Sequence, residues 1–505
     1  MNKWIDIKIN YNYFFAERIK KLIIQEKDIE KKVLLIEYLA DYYSCQVTGK
    51  YSDEFLEEQL IDISNKNIIY ENENIIEKNT VLHVMSECYS TGGHTRAVNN
   101  WINLDEKRKN SIIFTNQVSY IQIPKFLKDS VENSGGKIYF TTKKSKLRQA
   151  IYLQSIASNY EKIILHVHMF DSIPLLAFGN HSWNIPIYFY GHADFRFWLG
   201  VSISDVILDI HSDSKKRTIN LRGAKKSIVF PLPNEFTYVN KSKNAIERSK
   251  FIKKYDIPQN AKIITTIGSD FKYTVTRQLN FQKFIKYLVN KYKDLYVIVI
   301  GPDAKDKAWK NTIKSTHNRV KVLGVLNKDK VDEWLNVSDI YLDSFPVGGG
   351  VAILDALNRN LNILSLSIKG DRLDELMEIK SKTLRDLDKK IKEILLNNEN
   401  KYYLKALLNI KKLFSNKIWI NKLDDILELD LIHKTSSFHS NKCISNFERI
   451  YYQVLDRKYE YDSLDCFNKL LVSCKIKIIL IRIKSIIQFA LNSYISLISN
   501  KIFND

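Results

Sequence analysis

The chain has 505 residues, too many for one hydrophobic core, so its length predicts two main domains with appendages. Hydrophobic residues make up 45% of the chain and only 16 Gly and 8 Pro occur, which excludes a disordered or low-complexity protein. Lys and Arg outnumber Asp and Glu by 77 to 57, and the net charge of +20 favours polyanionic partners unless it only reflects biased coding composition.

Cysteine usage and the first residues predict the compartment. The five cysteines lack CxxC spacing, and their odd number argues against a disulfide scaffold or a zinc site. Lys3, Asp6 and Lys8 interrupt the start of the chain, so no secretory signal peptide is expected. We therefore expect a cytoplasmic protein, either free or peripheral on the inner face of the membrane.

The N-terminal segment, residues 1–78, is predicted to be a helical appendage. In residues 14–48, apolar side chains recur at steps of three and four between Lys and Glu, which is typical of amphipathic helices. The polar residues 70–80 end this pattern, and a different one begins after them.

Two successive segments then show strands alternating with helices, which indicates an α/β fold with parallel, doubly wound sheets. In the first segment, 79–235, a helix is predicted at 95–104, and strands at 81–86, 111–115, 137–140, 162–168 and 186–190. In the second, 236–435, a helix is predicted at about 278–291, and strands at 262–267, 295–300, 320–323, 340–342 and 361–366. Two Rossmann-like domains are expected to face each other, with ligand between them outside the carboxyl ends of the strands.

The C-terminal tail, residues 436–505, is predicted to be helical. Residues 470–503 are dense in Ile and Leu, and the cations among them are Lys475, Lys477, Arg482 and Lys484. The segment is too short and too basic at its start for a membrane span. Two interpretations stay open: a helix on an anionic membrane surface, or a helix packed on the protein body or in an oligomer interface.

In the first segment, chemistry-bearing residues follow three predicted strands. Gly92 and Gly93 lie between a strand and a helix, where small residues let a ligand approach backbone N–H groups. We therefore assign them to the binding of a donor substrate, the molecule from which a group is transferred. A purely structural turn is the alternative. His94 stands beside them and is a catalytic candidate because imidazole titrates near neutral pH.

The strand at 162–168 ends in the sequence HVH, which places His166 and His168 on one face. The sequence offers no complete ligand set for a metal, so we interpret these histidines as cleft-lining or buried and neutral. His168 is assigned to acceptor binding.

The next strand leads into the loop YFYGHADFRFWLG, residues 188–200, which suits a sugar site. Aromatic faces can cover sugar C–H surfaces while polar groups bond the hydroxyls. His192 and Asp194 are catalytic candidates, and Arg196 is assigned to acceptor binding. The alternative is an aromatic cluster of the core.

In the second segment, two loops carry phosphate-binding features. Ser269, Lys272 and Arg277 lie between a strand and a helix, where small donors and cations suit a diphosphate, although a solvated charged loop would look the same. The segment FPVGGGVAILDAL then places Gly348, Gly349 and Gly350 at a helix start, where bare N–H groups could meet phosphate. Asp355 follows within reach of ribose hydroxyls.

With these motifs in place, the chain resembles GT-B glycosyltransferases over about residues 80–430, and in particular O-GlcNAc-transferase-like and family 4-like bacterial enzymes. The resemblance implies a UDP-linked sugar donor and no resident cofactor. It also implies that the glycine turn holds phosphate, that Asp355 holds ribose, and that Lys272 or Arg277 meets the diphosphate. His192 would face the donor sugar.

One position departs from the commonest retaining enzymes of this fold. They carry a glutamate eight positions before the second acidic residue, where this chain has Val347. Inverting chemistry would instead need a general base, for which His94 and His192 are the candidates. No DxD pair stands in a suitable loop, so we expect a metal-independent enzyme.

The function expected from the sequence is transfer of a sugar from a nucleoside diphosphate sugar to a hydroxyl of a glycan or glycoprotein. Two alternatives stay open: a sugar-nucleotide epimerase, and a catalytically silent partner subunit of a transferase. A nucleic-acid partner is not expected, because only the charge favours it and no binding module is recognisable.

Overall fold

The computed structural model describes residues 3–70, 75–90, 93–117, 119–141, 145–232, 245–349, 351–368, 380–397, 401–458 and 465–502. Within these ranges the chain forms two separate β-sheets, both built from parallel strands and surrounded by helices. The predicted α/β class with two Rossmann-like domains is therefore confirmed.

The chain begins with three helices, α1 (Lys3–Gln25), α2 (Ile29–Cys45) and α3 (Glu54–Asn67). Two aspartates start the second and third of them: Asp28 accepts from the N–H of Lys31, and Asp53 from that of Leu56. Buried side chains of all three helices share one hydrophobic core with the first sheet. The predicted helical N-terminal segment is thus present, packed directly on the first domain.

The first sheet has seven strands in the order β3-β2-β1-β4-β5-β6-β7. Its strands are β1 (Glu77–Met85), β2 (Lys109–Phe114), β3 (Ile138–Phe140), β4 (Tyr160–His166), β5 (Ile187–Gly191), β6 (Val206–Asp209) and β7 (Ser227–Val229). Its helices are α4 (Gly93–Leu104), α5 (Lys125–Asn133), α6 (Lys146–Ala157), α7 (Ile173–Phe178) and α8 (Ser212–Asn220). Strands β1, β4 and β5 are central, so helices cover both of their faces, and their runs IIL in β4 and YFY in β5 are buried.

The second sheet has six strands in the order β10-β9-β8-β11-β12-β13. Its strands are β8 (Lys262–Ile267), β9 (Leu295–Ile300), β10 (Val320–Val322), β11 (Ile340–Leu342), β12 (Asn362–Leu366) and β13 (Lys380–Ser381). Its helices are α9 (Ala245–Lys253), α10 (Phe281–Lys291), α11 (Lys307–Ser315), α12 (Lys328–Val337), α13 (Val351–Leu357), α14 (Leu384–Asn397) and α15 (Lys401–Phe414). The central strands β8 and β11 bring the loops that follow them to one edge of the sheet.

The last helices connect the two domains. They are α16 (Asn416–Leu427), α17 (Asn446–Lys458), α18 (Asp465–Lys469) and α19 (Val472–Ile502). Helix α16 lies in the segment predicted for the second domain, but it packs on the first domain. The ring centroid of its Trp419 is 4.7 Å from that of Phe230 and 5.5 Å from that of Trp101. The chain therefore returns to the first domain. Among the helices described, none has the length and apolarity needed to cross a membrane.

Candidate active site

Four histidines meet at the carboxyl ends of the central strands of the first sheet. His83 lies on β1, His166 ends β4, His192 directly follows β5, and His94 lies in the first turn of α4. Nδ1 of His83 is 3.0 Å from Nε2 of His166, and Nδ1 of His166 is 2.9 Å from Nε2 of His192. Both separations are hydrogen-bond distances, so these three side chains form a continuous row, the histidine row.

The fourth histidine, His94, leans on this row. Its Nε2 lies 3.0 Å from the carbonyl oxygen of His166, and its ring centroid is 4.5 Å from that of His192. Nδ1 of His94 is buried and finds no hydrogen-bond partner within the part of the chain that the structure describes. A carbonyl can only accept, so Nε2 of His94 carries the proton and Nδ1 the lone pair.

Burial keeps all four histidines neutral. It lowers the pKa of His83 from 6.5 to about 4, and the pKa of His94 to about 4. The pKa values of His166 and His192 lie well below the ordinary value, because of burial and then of the neighbouring histidines. Each imidazole therefore keeps one lone pair at neutral pH, which a proton-accepting group requires.

The remaining candidates of the first domain lie in different surroundings. His168 stacks on the ring of Tyr89, with 6.4 Å between centroids, and Nε2 of His168 is 3.4 Å from the hydroxyl of Tyr89. Arg196 is half-buried, and its carbonyl oxygen accepts from Nη2 of Arg222 at 2.7 Å.

Asp194 has a structural environment that the sequence did not predict. Its carboxylate is buried and lies 2.6 Å from Nη2 of Arg217 and 3.1 Å from Nε2 of His211. The Asp194 carbonyl oxygen accepts from Nη2 of Arg222 at 2.6 Å. The expectation of a catalytic Asp194 is therefore corrected: the carboxylate neutralises a buried cation and anchors the loop that carries His192.

In the second domain, a short 3₁₀ turn follows β8 and carries Lys272. The carbonyl oxygen of Lys272 accepts from the N–H of Val347 at 3.4 Å, which joins this turn to the glycine-rich loop after β11. Ser269 directly precedes the turn, is exposed, and lines a cavity of about 650 Å³ beside it. Arg277 is also exposed, and its N–H donates to Oε1 of Gln453 at 2.9 Å.

The glycine-rich loop is organised by a buried aspartate, Asp343. Its Oδ1 accepts from the N–H groups of Gly349 at 2.8 Å and Ser344 at 3.0 Å. A Cβ at Gly349 would lie 2.9 Å from the same oxygen, so only glycine fits there without a shift. The expectation that the Gly349 N–H faces phosphate is corrected, because Asp343 already takes that donor. Gly348 is buried, and the predicted Gly92 and Gly350 lie outside the described residues.

Asp355 lies on the second turn of α13, directly after this loop, and is 23% exposed. Its Oδ1 is 2.8 Å from Nζ of Lys328, which also pairs with Asp332 at 2.8 Å, and Asp332 is 2.9 Å from Arg359. Asp355 therefore lies at the end of a four-residue ion-pair chain that joins α12 to α13 and to the turn after α13. Within the described ranges, no group of three His, Cys, Asp or Glu residues is arranged to hold a metal ion.

Sequence reasoning missed His83, Asn110 and Asp343. A signal existed for His83, because a histidine inside the apolar run VLHVM of a parallel strand must find a buried partner. Its partners, His166 and Asn110, are 83 and 27 residues away. The pairing was therefore not visible in the spacing.

Two separate parallel sheets surrounded by helices fit the two-domain GT-B fold, and solved structures of glycosyltransferases are similar to this chain. A glycosyltransferase from Rickettsia africae is 15% identical to this chain, with a TM-score of 0.52. The aligned region covers 70% of this chain and 98% of the Rickettsia protein. The chain thus has the GT-B fold.

Two further similar structures contain ligands. HepE of Anabaena, in complex with UDP and glucose, is 12% identical over 69% of this chain and 99% of its own, with a TM-score of 0.50. A TarM mutant of S. aureus, in complex with fondaparinux, α-GlcNAc-glycerol and UDP, is 11% identical over 70% and 100%, with a TM-score of 0.51. No protein-family model and no curated protein matches the sequence.

Proposed function

We propose that the protein is a glycosyltransferase that moves a sugar from a UDP-linked donor to a hydroxyl of a glycan or glycoprotein. The observation that carries the proposal is the placement of chemistry at the carboxyl edges of both sheets. Neutral His192 and His94 lie at the edge of the first sheet, while Lys272 and the glycine-rich loop are joined at the edge of the second. Ligands of doubly wound folds bind at these edges.

The proposed reaction divides between the domains. The imidazole of His192 takes the proton of the acceptor hydroxyl as its oxygen bonds to C1 of the sugar. The bond from C1 to the diphosphate breaks, and its electron pair leaves with the nucleoside diphosphate. Lys272 and Arg277 stabilise the charge of that leaving group. Val347 stands where the commonest retaining enzymes of this fold carry glutamate, which favours this direct, inverting displacement.

The similar structures support the choice of donor. HepE was solved with UDP and glucose, and TarM with UDP and α-GlcNAc-glycerol. We extend a UDP-linked donor to this chain on that basis, together with the cation of Lys272 beside the glycine-rich loop.

A screen of nucleotide sugars by thermal shift tests the donor, because a ligand that binds only the folded state raises its stability. The stabilising donor is then incubated with the protein, with and without candidate acceptors. A glycosylated acceptor supports the proposal. Interconversion of the donor alone identifies an epimerase, and binding without any product identifies a silent partner subunit.

We also propose that the protein attaches to an anionic membrane surface through α19. Cys474, Ile478 and Ser485 are buried, and at 100° per residue the opposite face of the helix is apolar and open to solvent. That face is 44% to 71% exposed and consists of Val472, Ile476, Ile479, Leu480, Ile483, Ile486 and Ile487. Such an outward apolar face costs free energy in water and is uncommon on a monomer surface.

The cations beside the apolar face of α19 favour binding to an anionic membrane over binding to a second copy of the chain. Lys475 and Arg482 lie along one border of the apolar face, and Lys477 and Lys484 along the other. Cations on both borders of an apolar face suit a helix lying in the plane of an anionic bilayer, where headgroups meet the cations. A second copy of this surface would instead bring like charges together at its borders, where Lys477 is paired with Glu26 at 3.5 Å and the other three cations of each copy add to the repulsion.

A further inference from the structure

The histidine row has a defined hydrogen-bond direction, and Asn110 sets it. Nδ2 of Asn110 donates to the carbonyl oxygens of Arg108 at 2.8 Å and Asp105 at 3.5 Å. Carbonyl oxygens accept only, so the amide orientation is fixed and Oδ1 of Asn110 points to Nε2 of His83 at 3.0 Å. Nε2 of His83 must therefore carry a proton.

The protonated nitrogen of His83 determines which ring nitrogen is protonated in His166 and then in His192. A neutral His83 that is protonated on Nε2 offers a lone pair on Nδ1, which accepts from Nε2 of His166 at 3.0 Å. Nδ1 of His166 then carries a lone pair and accepts from Nε2 of His192 at 2.9 Å. At the end of the row, Nδ1 of His192 is left with the lone pair.

The surroundings keep the row in this neutral, directed state. The indole of Trp101 lies edge-on to His83 and His166, with centroid distances of 5.5 and 5.9 Å, and Tyr190 lies edge-on to His166 and His192 at 5.6 and 4.7 Å. His83 and His166 are fully buried. An apolar environment strengthens hydrogen bonds within the row and penalises any arrangement that leaves one of them unmade.

We propose that Asn110, His83 and His166 are positioning residues that fix the tautomer of His192, so that Nδ1 is its proton-accepting atom. The lone pair is then available whenever an acceptor hydroxyl arrives, and the ring needs no prior proton exchange. When Nδ1 takes the proton, the bond from Nε2 to His166 becomes charge-assisted and stabilises the imidazolium. The catalytic part of this inference rests on the proposed function, whereas the tautomers do not.

The tautomers can be measured directly on the full chain. In protein labelled with ¹⁵N-histidine, long-range proton–nitrogen correlation spectra distinguish protonated from unprotonated ring nitrogens at neutral pH. Variants in which one histidine is replaced identify the signals that belong to it. We expect protonated Nε2 and unprotonated Nδ1 for His83, His166 and His192. A protonated Nδ1 on His192, or a ring that averages between the two tautomers, would overturn the proposal whether or not transferase activity is found.

Two substitutions of His83 distinguish the effect of hydrogen-bond direction along the row from the effect of side-chain packing. In His83→Gln, the amide can donate to Asn110 and accept from His166, so the direction survives. In His83→Leu, the acceptor for His166 is lost and His192 can populate both tautomers. We expect His83→Leu to lower kcat by about tenfold or more at unchanged donor KM, and His83→Gln to restore it to within about threefold of wild type.

The outcomes remain distinguishable. Equal kcat values for His83→Leu and wild type would contradict the positioning role. If His83→Leu does not fold, His83→Gln and the wild-type spectra still decide. Absence of any transfer product in wild type overturns the proposed function and the catalytic part of the inference, while the spectra still test the fixed tautomers.

Discussion

The carboxylate of Asp355 lies 2.8 Å from the ammonium of Lys328, so the residue predicted to hold ribose already has a protein partner. Lys328 is itself shared with Asp332. A carboxylate has two oxygens and about four acceptor sites, so Asp355 can keep Lys328 and still accept from ribose hydroxyls. Lys328 would then hold the carboxylate in one orientation.

Substitution of Asp355 tests this double role. We expect Asp355→Ala to weaken donor binding by about 10- to 100-fold, since a hydrogen bond to a charged acceptor contributes about 1.5–3 kcal/mol. Asp332→Ala is the matched control, because it breaks the same ion-pair chain on the far side of Lys328. Calorimetric titration with the donor measures both. Unchanged affinity in a folded Asp355→Ala, or equal losses in both variants, would assign Asp355 to the ion-pair chain alone.

Lys272 is expected to act on the diphosphate and not on the nucleoside. Lys272→Ala, and to a smaller extent Arg277→Ala, should weaken binding of UDP by about tenfold or more while binding of uridine changes by less than about twofold. Lys283→Ala serves as the control, since Lys283 is an exposed lysine of α10. Equal losses for UDP and uridine would contradict the assignment of Lys272.

The regular architecture could be predicted because it depends on short-range patterns. Apolar runs predicted β8, β9 and β11 to within a residue of their ends, since buried parallel strands leave continuous apolar segments. Strands β6 and β7 were missed. Both are short and lie toward one edge of the first sheet, so their runs carry little signal.

The candidate site was predictable only in part, because residue types are visible in a sequence and their partners are not. The sequence places His192 after a strand and His94 at a helix start, and the structure brings their two rings together, while their catalytic role stays a prediction. The role of Asp194 was not predicted, since its partners Arg217 and His211 come from a different element and make it a buried ion pair. Likewise, the buried Asp343 that occupies the N–H of Gly349 could not be inferred from a glycine run.

The buried histidines predict loss of stability in acid. The unfolded chain binds a proton at a histidine below its ordinary pKa of 6.5, whereas the folded protein leaves His83 neutral until its pKa of about 4. The unfolded state therefore binds more protons between these values, and stability falls as the pH is lowered through this window. His83 alone should contribute about 2 kcal/mol of this loss by about pH 5.

Urea unfolding at neutral pH and at about pH 5 measures the effect. His83→Gln keeps the hydrogen bonds of the row but cannot titrate, so the difference in unfolding free energy between the two pH values should shrink. Equal pH dependence in His83→Gln and wild type would show that His83 does not resist protonation in the folded state.

The outward apolar face of α19 predicts binding to anionic vesicles. The double substitution Ile479→Glu with Ile483→Glu places two carboxylates on that face, one turn apart and away from the buried Cys474 and Ile478. It should abolish co-sedimentation with phosphatidylglycerol-containing vesicles, and the binding of wild type should weaken as salt is added, because the cations on both borders are screened.

Leu404→Glu with Leu408→Glu is the matched control: the pair has the same spacing on α15 and is 56% and 64% exposed. That variant should bind vesicles like wild type. If wild type does not bind vesicles but forms a dimer that the Ile479 and Ile483 substitutions dissociate, the face is an interface between copies of the chain and the membrane assignment is wrong.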